Sequence, residues 1–241
     1  MDNIKEEFIS TLSHEIRTPL TSIKGFSKTM LDNWDNLDDN QKKKFLNIIV
    51  EQSQRLINLV ENVLNVSKID SGANDAVLTK IDTVSAINAA IAMVKMNYKD
   101  FDFVFTICSK EPVLADFNKL QQVLINLLDN AAKYSKDSKK IEINLKNDKN
   151  NAIISIKNFG ISIDEKYFDK IFDKFFRIDT YLKSSAQGSG LGLYITKHLL
   201  DLMGGRIEVS SSKSPNYSEF RVHLPLYEVE SATKEALKAK L

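Results

Sequence analysis

A histidine next to a carboxylate is the first chemically informative feature of this sequence. It lies in the segment Ser13–Leu20, SHEIRTPL, inside an amphipathic helical pattern. His14 falls at the f position of a heptad repeat, which faces away from the apolar seam. The pattern therefore predicts an exposed imidazole that an incoming reagent can reach, and the alternative is an ordinary solvated histidine. The seam consists of Ile9, Leu12, Ile16, Pro19, Ile23, Phe26 and Met30.

Three polar side chains form a ridge on a second helical segment, Phe117–Tyr134. Asn126, Asn130 and Lys133 follow helical spacing, so they project from one side of a mostly apolar helix. An amide oxygen suits a magnesium ion, and an ammonium group suits a polyphosphate. The ridge is a candidate site for a metal–polyphosphate complex, and the alternative is three solvated side chains on an exposed face.

Three further segments follow this ridge in the chain. Gly188–Leu193, GSGLGL, ends a long polar connection and precedes a helix, which is typical of a loop that approaches phosphates closely. Asn158–Ile163 follows a strand and can present a polar side chain to a nucleobase. Ile171–Arg177 carries an aromatic anchor and an arginine that either reaches a γ-phosphate or caps a surface.

The order and spacing of these segments resemble the motifs of a sensor histidine kinase of two-component systems. Ser13–Leu20 resembles the H box of that family, and Asn126–Tyr134 resembles the N box. Asn158–Ile163 resembles the G1 box, Phe172–Arg177 the F box and Gly188–Leu193 the G2 box. The resemblance covers nearly the whole chain, up to about Tyr227. It implies an α+β fold, in which a HisKA helical hairpin forms a dimeric four-helix bundle and a GHKL-type (Bergerat) α/β sandwich follows and binds ATP.

The resemblance also implies roles for individual residues. His14 takes the γ-phosphoryl group of ATP, Glu15 bonds to or deprotonates its ring, and Arg17 is a phosphate or carboxylate partner. Thr18 orients a water for dephosphorylating a response regulator, and Asn130 is the magnesium ligand. The residues expected to bind the nucleotide are Asn126, Asn130, Lys133, Tyr134, Asn158, Gly160, Ile163, Phe172, Arg177, Gly188, Gly190, Leu191, Gly192 and Leu193.

The implied activity is ATP-dependent autophosphorylation of His14 and phosphoryl transfer to an aspartate of a response-regulator receiver domain, with a regulator phosphatase activity as well. The implied cofactors are ATP and Mg²⁺. In the hydrolytic ATPases of this superfamily, a glutamate four residues before the magnesium asparagine activates water. This chain has Asn126 there. Because an amide cannot act as a general base, free ATP hydrolysis is expected to be slow.

Two positions of the G1 segment depart from the family pattern. Asn158 stands where the family has an aspartate that accepts from the adenine amino group, and Ser162 stands where it has a glycine. An asparagine carbonyl accepts that bond without charge assistance, at a loss on the order of 1 kcal/mol, while its amide can donate to a guanine carbonyl. The sequence predicts weak ATP binding and allows relaxed base choice. The alternative function is a degenerate signalling module that acts through protein contacts or phosphatase activity.

Two long helices are predicted to carry the histidine. They span Asn3–Asn33 and Asn40–Asp70, and Asp38 or Asp39 caps the second helix. Their apolar face is wider than one hairpin can bury, which predicts a homodimer; the alternative packs the second helix on the following domain. The predicted hairpin, ATP-binding sandwich and polar tail span residues 1–72, 73–228 and 229–241.

The rest of the chain shows alternating strand and helix patterns. Helices are predicted over Val84–Met96, Phe117–Tyr134 and Leu191–Met203, with a short helix-like run over Lys166–Phe176. The predicted strands are Val77–Thr83, Phe101–Cys108, Val113–Ala115, Lys140–Leu145, Ala152–Asn158, Gly205–Ser211 and Glu219–Pro225.

Composition limits the classes of function. The 241 residues carry a net charge of +1, which gives no electrostatic case for binding nucleic acid. The single cysteine, Cys108, lies in an apolar run and is expected in the core. The sequence has no signal peptide and no apolar stretch of about 18 residues, so we expect a cytoplasmic chain, or the cytoplasmic part of a membrane-bound receptor, without direct membrane contact. An upstream sensor domain is expected outside this sequence.

Overall fold

The chain divides into two compact units, one comprising Met1–Ala73 and Gln187–Leu191 and the other comprising Asn74–Ala186 and Gly192–Leu241. The structure, a computed structural model, describes residues 2–72, 75–135, 138–178 and 190–227, and for residues 2–11 it describes the backbone alone. The predicted polar tail therefore lies outside the described residues. Within the described residues, no helix has the length and apolar character needed to cross a membrane.

The first unit is a helical hairpin. Helix α1 spans Asp2–Asp32, a short 3₁₀ turn spans Trp34–Asn36, and helix α2 spans Asp39–Asp70. Asp38 caps α2, because its carboxylate accepts a hydrogen bond from the backbone N–H of Gln41 at 2.8 Å. The Gln41 side chain in turn accepts one from the backbone N–H of Asp38 at 3.1 Å. This reciprocal pair satisfies two donors that the helix leaves unpaired, and it confirms Asp38 as the cap.

Apolar side chains hold the two helices of the hairpin together. The rings of Phe26 and Phe45 lie 5.2 Å apart between centroids, and Met30 and Leu59 are buried. The side chain of Ile9, the first predicted seam residue, lies outside the described part. A second apolar set remains at least 46% exposed, which leaves apolar surface uncovered in a single hairpin. This set is Leu20, Leu31, Leu46, Val50, Ile57, Val60 and Leu64.

The second unit is an α/β sandwich. Its helices are α3 (Thr83–Asn97), α4 (Phe117–Tyr134) and α5 (Gly192–Leu202). Its strands are β1 (Thr79–Ile81), β2 (Asp102–Ile107), β3 (Val113–Ala115), β4 (Lys140–Asp148), β5 (Asn151–Asn158), β6 (Arg206–Lys213) and β7 (Asn216–Pro225). The main sheet has the order β2-β4-β5-β7-β6, with β2 and β4 parallel and the other neighbours antiparallel, while β1 pairs with β3.

The core of this unit lies between one face of the sheet and the helices. The strand register places Ile143 of β4 opposite Ile156 of β5, and Ile156 opposite Phe220 of β7, so these three buried side chains share a face. Helix α4 contacts α3, α5, β4 and β5. Its fully buried residues include Leu120, Leu124, Leu127 and Leu128. The predicted nucleotide residues of α4 are thus held on a helix that the core positions.

Two expectations from the sequence are wrong. The helix-like run Lys166–Phe176 is instead two 3₁₀ turns, Glu165–Tyr167 and Lys170–Phe172. Phe175 has a φ of 66°, which no α-helix accommodates, so the run cannot continue as one. Cys108 is exposed rather than buried, because it follows the end of β2, which lies at the edge of the sheet.

Candidate active site

His14 lies exposed on α1, which confirms the exposure that the heptad pattern predicted. One turn later, the Thr18 hydroxyl donates a hydrogen bond to the backbone carbonyl of His14 at 3.1 Å. Pro19 is buried and has no N–H, so the carbonyl of Glu15 lacks its usual helical donor. Arg17 is also exposed. An imidazole nitrogen with a free lone pair is a nucleophile, and the exposure of His14 leaves its ring accessible to an incoming reagent.

Glu15 is paired across the hairpin. Its Oε2 accepts a hydrogen bond from Nη2 of Arg55 on α2 at 2.9 Å, and the two side chains are only 12% and 26% exposed. The resemblance directs Glu15 to the ring of His14, whereas the structure brings it to Arg55. Arg55 was not among the predicted site residues, because an isolated arginine on an amphipathic helix gives no sequence signal.

The first member of the polar ridge is braced against α5. Nδ2 of Asn126 donates to the Thr196 hydroxyl at 2.7 Å, and Thr196 is almost fully buried. A Cβ placed on Gly192 would lie 2.5 Å from Oδ1 of Asn126. Gly192 therefore lets α5 begin in close contact with α4, and its lack of a side chain serves helix packing.

The rest of the ridge lies at the end of α4. Asn130 and Lys133 are half-buried, and Nζ of Lys133 lies 5.9 Å from the ring centroid of Tyr134. Burial raises the pKa of the Tyr134 phenol, the charge of Arg177 opposes that rise, and the charge of Asp129 adds to it. The phenol therefore remains protonated at neutral pH and can donate a hydrogen bond.

Asn158 ends β5 on the face of the sheet that the helices cover. It pairs with Ile141 and Ser218 in the strand register and is 3% exposed. Its Nδ2 has no hydrogen-bond partner among the described residues. A buried donor without a partner costs about 1–3 kcal/mol, so this atom is suited to an acceptor that a ligand or a water supplies. Gly160, two residues later, is also buried.

Serines of β6 and β7 hold the loop that follows Asn158. The Ser218 hydroxyl donates to the carbonyl of Ile161 at 2.9 Å, and the backbone N–H of Ile163 donates to the Ser211 hydroxyl at 2.8 Å. The backbone N–H of Ile161 donates to the carbonyl of Tyr134 at 3.2 Å. The structure thus joins the loop after Asn158 to the end of α4. The two serines were missed because nothing in an alternating strand marks them.

The F segment combines a buried ring and an exposed arginine. Phe172 is 8% exposed and packs edge-on against Phe220, with the ring centroids 6.5 Å apart. Nζ of Lys197 lies 5.9 Å from the Phe172 centroid. Phe172 therefore packs in the core, and its contact with the nucleotide stays a prediction. Arg177 is exposed, and its contact with a γ-phosphate stays a prediction.

The structure describes part of the glycine-rich segment. Gly188 lies outside the described residues. Gly190 has a φ of 68°, in the left-handed region that favours glycine. Leu191 is buried, and Leu193 is half-buried in the first turn of α5.

The candidate cation site relies on amide oxygens. The described residues contain no group of three or more His, Cys, Asp or Glu side chains placed to hold a metal ion. Asn130 offers an amide oxygen, a ligand type that magnesium accepts, and its contact with a metal stays a prediction.

Two domain families match the chain. The profile of the His Kinase A (phospho-acceptor) domain matches residues 4–72, and that of the histidine kinase-, DNA gyrase B- and HSP90-like ATPase matches residues 115–228. The first match contains His14, and the second contains Asn130, Asn158 and Gly192. The chain belongs to the sensor histidine kinases, as the motifs and the fold class predicted.

Individual relatives agree with this assignment. The chain is 31% identical to the sensor protein SrrB of Staphylococcus aureus (strain MRSA252), over 93% of this chain and 39% of that protein. It spans about two fifths of the length of the curated relatives it matches. The fold is similar to that of the Acinetobacter baumannii histidine kinase AdeS, with a TM-score of 0.68 and 24% sequence identity. The match covers 89% of this chain and 98% of that one. The histidine kinase ThkA, solved in complex with the response regulator protein TrrA, is 28% identical to this chain. The match covers 93% of this chain and 63% of that one, with a TM-score of 0.69.

Proposed function

We propose that the chain phosphorylates His14 with ATP and passes the phosphoryl group to an aspartate of a response regulator. The exposure of His14 within the phospho-acceptor match carries this proposal. In the first step a ring nitrogen of neutral His14 attacks the γ-phosphorus, the bond to the bridging oxygen breaks, and ADP leaves. In the second step a carboxylate oxygen of the regulator attacks the same phosphorus, and the imidazole of His14 leaves. The ThkA–TrrA complex supports this class of partner.

The end of α4 is the proposed site for the phosphates of ATP and for Mg²⁺. Asn130 would offer an amide oxygen to the metal, and Lys133 an ammonium group to the phosphates. Bound magnesium would neutralise charge that develops on the phosphates. The half-buried positions of Asn130 and Lys133, next to Tyr134, support this assignment.

Slow release of phosphate to water is part of the proposal. Asn126 occupies the position from which a general base would activate water, and an amide has no proton-accepting group of suitable basicity. Its Nδ2 is also committed to Thr196. The phosphoryl group is thereby left for His14.

A regulator phosphatase activity is the second part of the proposal, with Thr18 as its residue. The Thr18 hydroxyl lies one turn from His14 and donates to the backbone carbonyl of that residue. Its oxygen retains lone pairs that can accept a hydrogen bond from an attacking water. We expect Thr18→Ala to slow dephosphorylation of the regulator while labelling of His14 continues, measured as loss of label from purified phosphorylated regulator.

Asn158 is the proposed contact to the nucleobase. An amide presents one donor and one acceptor, which match the amino group and ring nitrogen of adenine and, turned over, the N–H and carbonyl of guanine. The buried, unpartnered Nδ2 supports a donor role. An aspartate keeps only the acceptor, but its charge strengthens the hydrogen bond from the adenine amino group, and it has no donor for the guanine carbonyl. We expect Asn158→Asp to tighten ATP binding, because this charge assistance outweighs the lost amide donor, and to weaken GTP binding, both measured by calorimetry. Low-micromolar, adenine-selective binding by the natural chain would contradict this assignment.

The same variant separates the autokinase from the alternative, a degenerate signalling module. If the natural chain does not label but Asn158→Asp does, the natural nucleotide site is impaired and the module acts by protein contacts or by phosphatase action. The alternative is supported by Asn158 itself, because a buried amide stands at the proposed nucleobase contact where the family has an aspartate.

A homodimer is the proposed assembly, with the hairpins of two copies forming a four-helix bundle. The apolar side chains that α1 and α2 leave exposed support it, because burial of that surface would favour association. We expect Val50→Glu and Leu64→Glu to shift the chain toward a monomer in analytical ultracentrifugation. A cytoplasmic location and an upstream sensor domain complete the proposal, together with the predicted boundaries at residues 72 and 228.

The test is phosphoryl incorporation from γ-labelled ATP with magnesium. We expect acid-labile, base-stable label in the natural chain and none in His14→Ala. The matched control is His198→Ala, which removes a half-buried histidine of α5 and should retain the label. Label that persists in His14→Ala would contradict the assignment of the acceptor.

A further inference from the structure

Arg55 is a charged side chain that the proposed chemistry leaves without a role. It lies on α2 and donates from Nη2 to Oε2 of Glu15 on α1 at 2.9 Å. The Glu15 side chain is 12% exposed and the Arg55 side chain is 26% exposed. Because both side chains are largely shielded from solvent, their attraction is screened less by water and salt than that of a surface ion pair. The ion pair therefore helps to fix the position of the Glu15 carboxylate.

The direction in which the Glu15 side chain points matters, because Glu15 is the residue next to His14 in the chain. Consecutive side chains on a helix point about 100° apart and do not face each other. His14 is exposed, whereas Glu15 reaches inward across the hairpin to Arg55. A glutamate that reaches the opposite helix is directed away from the neighbouring ring. The guanidinium of Arg55 is thus a partner that the structure gives to Glu15, whereas the ring of His14 is the partner that the family resemblance assigns to it.

We propose that Arg55 is a positioning residue that holds Glu15 against α2, and that phosphorylation of His14 proceeds when this pair opens. The inference rests on the proposed function. After opening, the carboxylate accepts the N–H of one ring nitrogen, which makes the other nitrogen a better nucleophile. That nitrogen forms the bond to phosphorus, the carboxylate takes the ring proton, and the leaving group departs with the electrons of the broken bond.

The first arm of the test measures the initial rate of His14 labelling with ATP. We expect Arg55→Gln to label about fivefold faster than the natural chain, the upper end of what partly exposed ion pairs contribute. Arg55→Lys keeps the charge and should return the rate toward the natural value. Lys44→Gln removes an exposed charge from the same helix and should leave the rate unchanged.

The decisive variant combines Arg55→Gln with Glu15→Gln. If Arg55 acts through Glu15, the gain disappears and the double variant labels no faster than Glu15→Gln alone. Circular dichroism and sedimentation establish that each variant is folded and has the natural oligomeric state. Where Arg55→Gln does not fold, Arg55→Met takes its place, because it keeps much of the apolar stem of arginine.

The second arm removes the nucleotide from the experiment. The full chain is incubated with phosphoramidate, a small phosphoryl donor whose P–N bond breaks as ammonia leaves and the His14–phosphorus bond forms. We expect the same order of rates in this arm, with Arg55→Gln fastest and the double variant slow. If ATP gives no label but phosphoramidate gives this order, the proposed function fails and the role of Arg55 stands.

Two results would overturn the inference. In the first, Arg55→Gln is folded but labels at the natural rate or slower with phosphoramidate, so that Arg55 does not restrain Glu15. In the second, the faster rate survives in the double variant, so that the gain does not pass through the carboxylate.

Discussion

Replacing Gly192 with alanine tests the brace between α4 and α5. The new Cβ would lie 2.5 Å from Oδ1 of Asn126 and 3.2 Å from its Cγ and Nδ2. The Asn126 side chain must therefore turn away, which breaks its 2.7 Å hydrogen bond to Thr196. Because Thr196 is only 1% exposed, its hydroxyl loses this partner where water has little access.

The magnitude follows from two opposing contributions. Loss of a hydrogen bond with a buried partner costs about 1–3 kcal/mol. Alanine recovers up to ~1 kcal/mol over glycine in a helix, and less at the first position of α5. We therefore expect Gly192→Ala to lower the free energy of unfolding by about 1–2 kcal/mol. We also expect it to weaken nucleotide binding, because the glycine-rich segment that is predicted to approach the phosphates joins α5 at this residue.

The assay is urea unfolding at one protein concentration, followed by far-ultraviolet circular dichroism. Gly25→Ala is the matched control, since its added Cβ meets no atom within 4 Å from the described residues beyond its own stretch of helix, and the helix propensity alone predicts a gain. Gly192→Ala combined with Thr196→Val should cost less than the sum of the two, because both changes break the same bond. A Gly192→Ala chain as stable as the natural chain, or strictly additive costs, would refute the brace.

Three other predictions concern stability. Asp38→Ala removes the capping box of α2 and should cost about 1 kcal/mol in urea unfolding, whereas no loss would show that the cap is dispensable. Gly205→Ala should destabilise more than Gly192→Ala, because its Cβ would lie 2.5 Å from the backbone carbonyl oxygen of His223, which cannot swing aside; a melting temperature equal to that of the natural chain would contradict this. Hydrogen bonds from the side chain and backbone of Ser85 hold the pKa of Asp82 below its usual range, so its stabilisation is full above a pH of about 4 and is lost as the pH falls through the lowered pKa. In Asp82→Asn, we expect the difference from the natural chain to shrink in unfolding measurements as the pH falls through that acid window, and a difference independent of pH would contradict this.

Local patterns made several features predictable. Helix α4 spans the predicted range Phe117–Tyr134. It was predictable because the spacing of its apolar residues and its N-cap, Asp116, are both local features of the sequence. The exposure of His14 follows from the same kind of pattern. The family resemblance extended these patterns to a fold class, which the domain matches confirm.

Other features depended on residues distant in sequence. Local apolar spacing suggested a helix over Lys166–Phe176, but the chain forms two 3₁₀ turns there, and Phe175 adopts a positive φ. Cys108 looked like a core residue because its neighbours are apolar, yet the place of β2 at the sheet edge leaves it exposed. Neither the sheet order nor the φ of one residue is encoded in a short window.

The sequence by itself determined helices α1 to α5, most strands, the motif order and the residue types available for chemistry, because the elements depend on periodicity and local capping and the motifs are read directly from the residues. The tertiary structure decided which partners those residues have. It paired Glu15 with Arg55 and Asn126 with Thr196, and it left the buried Nδ2 of Asn158 without a partner among the described residues. Such pairings arise between residues tens of positions apart, whose distance is set only when helices and strands pack, so no local pattern could specify them.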